Sequence, residues 1–80
     1  MKNKYRGVFN YQRSVLEPLY RHATTARQAW FLMTGAIADM QGVDARIVRN
    51  YFPWVEGGKS INYEISTETE YIEVIEDDIA

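Results

Sequence analysis

Apolar positions along the chain follow two different rhythms. Val15, Leu16, Leu19 and Tyr20 recur at three-to-four spacing and predict a helix over residues 14–22. Ser14 and Glu17 have the form of a capping box, but Pro18 would then lack a donor the helix needs, so a break near Glu17 is an alternative to one continuous helix. Ala26, Trp30, Met33, Ile37 and Met40 run down one face of a second predicted helix, 25–41, with Thr25 and Gln28 as its capping box. Gly35 weakens its middle by about 1 kcal/mol relative to alanine and allows close helix packing. Gly42 is placed to end this helix in a left-handed conformation, Asp44 to cap a third helix over 44–52, and Pro53 to stop it.

Beyond Pro53 the period shortens to two. Ile61, Tyr63 and Ile65 alternate with Asn62, Glu64 and Ser66, which predicts a strand, and "TEYIEVIE" is rich enough in branched and aromatic residues for a second. "GGK" predicts a turn between Trp54–Val55 and the first of these strands. The expected architecture is α+β: a three-helix unit followed by a short antiparallel hairpin or sheet within 54–76. Eighty residues make one domain, with a helical basic part over 1–53, an acidic β part over 54–76 and a frayed acidic tail over 77–80.

Composition narrows the class. An apolar fraction of 46% with eleven aromatic residues belongs to a folded chain, although one of this size buries a thin core and often gains stability by dimerising. The absence of cysteine removes disulfides, a thiolate nucleophile and cysteine-ligated zinc, and is compatible with the cytoplasm. The basic start "MKNKYRGVFNYQR" lacks the apolar run of a signal peptide, and "AWFLMTGAIADM" is too short and too polar to span a bilayer.

The net charge of −2 conceals a split: residues 1–52 sum to +5 and residues 53–80 to −7. Such asymmetry suggests that one part meets a polyanion, although two solvated polar faces would produce it as well.

The stretch "IADMQGVDARIVRNYFP" carries the most specific pattern. Two helices that cross steeply need a small side chain at the contact, which Ala38 supplies, and a permissive backbone at the reversal, which Gly42 supplies. Val43 and Val48 are expected to plug the angle, with Tyr51 buried one turn on. Asp44, Ala45, Arg46, Arg49 and Asn50 then lie outward, and Arg and Asn are the side chains that fork onto guanine and adenine edges in the major groove.

This segment resembles the DNA-reading segment of TetR-type repressors through Ile37, Ala38, Gly42, Val43, Asn50, Tyr51, Phe52 and Pro53, and its spacing is similar to that of Cro-like phage proteins. The resemblance implies a DNA-facing set of Asp44, Ala45, Arg46, Arg49, Asn50 and Tyr51. It spans residues 37–53 only, and Gln41, Asp44 and Ile47 depart from the family's usual small, hydroxyl-bearing residues. An ordinary helix–glycine–helix corner has the same appearance.

Other constellations are weaker. His22, the only histidine, has no partner at metal-ligand spacing, and its neighbour Glu17 makes a poor acid–base pair. No nucleophile arrangement or phosphate loop is present, so an enzyme, a cofactor and a metal are not expected. Tyr5, Phe9, Tyr11 and Tyr20 among Arg6, Arg13 and Arg21 could stack single-stranded bases, but such aromatics more often form core, and Trp54 is expected to anchor the hairpin. The acidic end reads as a solvated strand, as a dimer strand burying Ile72, Val74 and Ile75, or as a phosphate mimic built from Glu64, Glu68, Glu70, Glu73 and Glu76.

The expected function is that of a small cytoplasmic, dimeric DNA-binding regulator of phage or mobile-element type, reading duplex DNA with the helix over 44–52. The alternative is a small acidic inhibitor, in the style of anti-restriction or anti-CRISPR proteins, that binds a nucleic-acid-processing protein.

Overall fold

A computed structural model describes residues 2–68 and shows a β-rich α+β fold. The elements are β1 (Asn3–Tyr11), β2 (Ser14–Val15), β3 (Leu19–Ala23), α1 (Ala26–Gln41), α2 (Ala45–Tyr51) and β4 (Tyr63–Thr67), with a single 3₁₀ turn at Glu56–Gly58. The three-helix unit expected from the sequence is therefore overturned: the described residues form two helices and a four-stranded antiparallel sheet.

The first expected helix, 14–22, is instead the returning arm of a hairpin. Gln12 and Arg13 take positive φ angles of 50° and 69°, the backbone of a tight two-residue turn whose twist matches its strands. Tyr11 then pairs with Ser14 and Asn10 with Val15. Further along, Gly7 pairs with Leu19 and Asn3 with Ala23, so the returning arm carries one residue more than β1 between these pairs. That surplus is a β-bulge around Leu16–Pro18, where Pro18 needs no ladder donor. The apolar spacing read as helical is thus produced by a strand with a one-residue slip in its middle.

β1, which carried no expected element, is the centre of the sheet: β3 pairs along one edge and β4 along the other. Its inward residues are Tyr5, Gly7 and Phe9, all buried. Gly7 interrupts the apolar alternation for a packing reason. A Cβ there would run into the Met33 sulfur of α1 and lie 2.9 Å from a Phe9 ring carbon, so glycine lets the helix approach the strand.

β4 lies where the alternation placed a strand, with Tyr63 and Ile65 inward, and it pairs with β1; "TEYIEVIE" and the tail over 77–80 fall outside the described residues. Trp54–Val55 is not a strand; the chain passes through the 3₁₀ turn, with Gly57 at φ 85°, and returns at a Lys59–Glu64 bridge. Ile61, expected beside Tyr63, is 95% exposed.

The core lies between the sheet and α1, built from Tyr5, Phe9, Ala23, Trp30, Met33, Ile37, Tyr63 and Ile65 and closed by Val48 and Phe52 after the corner. Phe52 packs edge-on against Phe9, with ring centres 5.1 Å apart, and its carbonyl accepts the Trp30 indole N–H at 2.8 Å. Trp54 is half-buried against Trp30, ring centres 5.9 Å apart.

Candidate nucleic-acid interface

The corner between α1 and α2 is assembled by local hydrogen bonds. Gly42 adopts φ 68°, and the Val43 N–H reaches back to the Ala38 carbonyl at 3.0 Å while the Gly42 N–H bonds Asp39 at 3.3 Å. These two bonds satisfy carbonyls that the end of α1 leaves open, in the pattern of a Schellman cap. Asp44 then caps α2, accepting the Arg46 backbone N–H at 2.8 Å. Ala38 and Val48 are buried and Val43 is half-buried, so a small contact residue and an apolar plug sit where a steep helix crossing needs them.

Of the six residues expected to face DNA, the structure places Asp44, Arg46, Asn50 and Tyr51 at the surface and turns the other two inward. Ala45 packs half-buried against the core. Arg49 folds back along α1: its guanidinium carbon lies 3.7 Å from the Phe31 ring centre, its Nε donates to Thr34 Oγ1 at 3.1 Å, and an Nη2 hydrogen reaches the Phe31 carbonyl at 3.1 Å. The expectation of an outward Arg49 is corrected accordingly, since a fork that finds an aromatic face and two acceptors on the neighbouring helix is held there.

Tyr51 is also corrected. Expected to be buried, it is 42% exposed. Its ring packs edge-on against Tyr11 with centres 5.1 Å apart, and its hydroxyl accepts the Gln12 N–H at 3.2 Å. The helix ends one residue earlier than its apolar pattern suggests, so Phe52 takes the core position instead.

Arg46 remains the outward cation of α2, its side chain 86% exposed and paired with Asp44 through Nη2 at 3.1 Å. The Arg46 hydrogen bonds hold the Asp44 carboxyl below its usual pKa, and the carboxylate in turn raises that of Arg46. Ile47 is exposed beside it.

The acidic set is only partly described. Glu64 is exposed and lies 3.6 Å from Lys59, Glu68 follows β4 with its backbone N–H on the Lys4 carbonyl, and Glu70, Glu73 and Glu76 lie outside the described residues. His22 is exposed, and no cluster of three His, Cys, Asp or Glu side chains that could hold a metal occurs among the described residues.

A second polar surface emerges only from the pairing. The face of the sheet turned away from α1 carries Lys4, Arg6, Val8 and Asn10 from β1, with His22 opposite Lys4 and Tyr20 opposite Arg6 on β3. The aromatic–basic group of the sequence is therefore divided, with Tyr5 and Phe9 in the core, Tyr11 half-buried and Tyr20 outward. Alternation of Lys4, Arg6, Val8 and Asn10 was the available signal, and Gly7 obscured it.

No family model, curated protein or solved structure matches the chain. No helix among the described residues is long and apolar enough to cross a membrane.

Proposed function

We propose that the chain is a small cytoplasmic DNA-binding regulator of phage or mobile-element type that lays the outer face of α2 against duplex DNA. The observation that carries this reading is the corner itself: a left-handed Gly42 turn, a buried Val48 and, on the opposite side of the same short helix, a solvent-exposed Arg46 with Asn50 one turn on. The pair between Arg46 and Asp44 stands in water, where such pairs contribute little, so exchanging the carboxylate for a phosphate or a guanine edge is inexpensive. Exposed Ile47 offers apolar contact to a thymine methyl. Arg49 acts as a brace between the helices and not as a reader. The local resemblance to TetR-type and Cro-like segments supports the same use of the corner.

Titration of the full chain against mixed-sequence duplex DNA at low salt tests the reading. Weak binding that falls steeply with added salt is expected, and Arg46→Ala should weaken it by about 1–3 kcal/mol if the side chain reads a base, or flatten the salt dependence if it contacts phosphate. No binding at low salt, or binding indifferent to Arg46→Ala and Asn50→Ala, removes α2 from consideration.

A further inference from the structure

We infer that the open face of the sheet is a binding platform for single-stranded nucleic acid, separate from α2. Among the described residues no helix packs on this face; α1 covers the opposite one, where Tyr5, Gly7 and Phe9 are buried. Antiparallel register places Arg6 directly across from Tyr20 and Lys4 directly across from His22, so four side chains from two adjacent strands form one patch. Residues opposed in this way have Cβ atoms about 5 Å apart, close enough to engage one nucleotide together.

The chemistry of the four fits that ligand. Tyr20 is 43% exposed on β3, and the Lys4 ammonium lies 5.1 Å from its ring centre. An exposed aromatic ring on a sheet is a stacking surface for an unpaired base, whichever base it is. Arg6 has no ion-pair partner among the described residues and stands beside that ring, available to a phosphate or to the face of a second base. His22 extends the polar rim. The β4 flank is the acidic one, with Glu64 opposite Val8 and Glu68 just past the strand with its backbone on the Lys4 carbonyl, so the cationic side of the face is its β1–β3 side. A base inside a duplex cannot present its face to such a ring, which is why the occupant is single-stranded.

The test uses the full chain and two probes, fluorescein-labelled oligo(dT) and oligo(U), with a mixed-sequence duplex beside them, all read by anisotropy at low salt. Tyr20→Ala is expected to lower single-strand affinity by about five- to a hundredfold, and Tyr20→Phe to retain it. Arg6→Gln should weaken binding and flatten its salt dependence. Arg46→Ala should weaken duplex binding and leave single-strand binding unchanged, which separates this inference from the reading of α2: an unsubstituted chain that binds single strands but not the duplex counts against α2, and one that binds the duplex but not single strands counts against the sheet. Equal response of oligo(dT) and oligo(U) identifies stacking and phosphate contact as the source, whereas preference for oligo(U) adds a contact to the 2′-hydroxyl. Arg6→Gln retains the buried core, so it decides the matter even where Tyr20→Ala fails to fold. Absence of single-strand binding, or binding untouched by Tyr20→Ala and Arg6→Gln, overturns the proposal.

Discussion

Arg49 lies flat against Phe31, its guanidinium carbon 3.7 Å from the ring centre, and through that contact α2 is tied to the middle of α1. The link continues through Thr34, which is buried: its hydroxyl accepts from Arg49 Nε at 3.1 Å and donates to the Trp30 carbonyl at 2.8 Å. A seven-residue helix has little stability of its own, so a clamp of this kind matters to whether α2 keeps its place at all.

Arg49→Ala is therefore expected to destabilise the fold by about 1–2 kcal/mol, since it removes two hydrogen bonds and a cation–π contact. Arg49→Lys should recover only part of the loss, because an ammonium cannot reproduce the fork. Urea denaturation of both variants, and of each combined with Phe31→Leu, measures the coupling, expected at about 0.5–1 kcal/mol. Strict additivity would show that the stacking contributes nothing.

Gly7 and Met33 mark a close approach between helix and sheet. Gly7→Ala puts a Cβ into the Met33 sulfur and within 2.9 Å of the Phe9 ring, and should cost about 1–3 kcal/mol through overpacking. Combining it with Met33→Ala should cost less than the two changes summed, as the cavity from one receives the methyl of the other. Thermal melts of the single and double variants decide this.

Tyr63 links stability to alkaline pH. Its hydroxyl donates to the Pro53 carbonyl at 2.9 Å and accepts the Val55 N–H at 3.0 Å, and burial raises its pKa above the ordinary 10.0 while the Val55 bond opposes that shift. A group whose pKa is raised on folding contributes stability that is complete below the unfolded value and is lost as pH rises through the folded one. Unfolding free energy should accordingly decline above pH 10. Tyr63→Phe should cost about 1–3 kcal/mol at neutral pH by leaving the two backbone groups unpaired, and should reduce the alkaline decline. Denaturant midpoints measured from pH 8 upward provide the check; an unchanged alkaline slope in the variant would show that Tyr63 is not its source.

Charge at the acidic end separates the two functional readings. Replacing Glu70, Glu73 and Glu76 with glutamine takes the net charge from −2 to +1 without altering chain length. For a DNA-binding protein, low-salt duplex affinity should stay the same or rise by about two- to tenfold as phosphate repulsion falls. A fall in affinity would contradict that reading. For an inhibitor that presents carboxylates to a nucleic-acid enzyme, the same variant should lose its partner while Arg46→Ala keeps it.

What the sequence determined by itself is the helical corner and the strand after it. Helices at 26–41 and 45–51, the Thr25 and Asp44 caps and the Gly42 terminator are local features, each decided by residues within one turn of the bond they make. The inward faces of Tyr63 and Ile65 were equally legible from alternation. Tertiary structure alone decided the rest. β1 became a strand because three others pair with it and because α1 lies on Gly7, neither of which is visible within a short window of residues. The stretch 14–22 has helical spacing in isolation, yet the positive φ angles at Gln12 and Arg13 and the bulge before Leu19 commit it to the sheet. Arg49 is polar and at an outward-looking helical position, and it turned inward because Phe31 and Thr34, from 15 to 18 residues away, offer it better partners than water does. Local bonds are written in neighbouring residues, whereas pairing and packing depend on which distant residues the rest of the chain brings alongside.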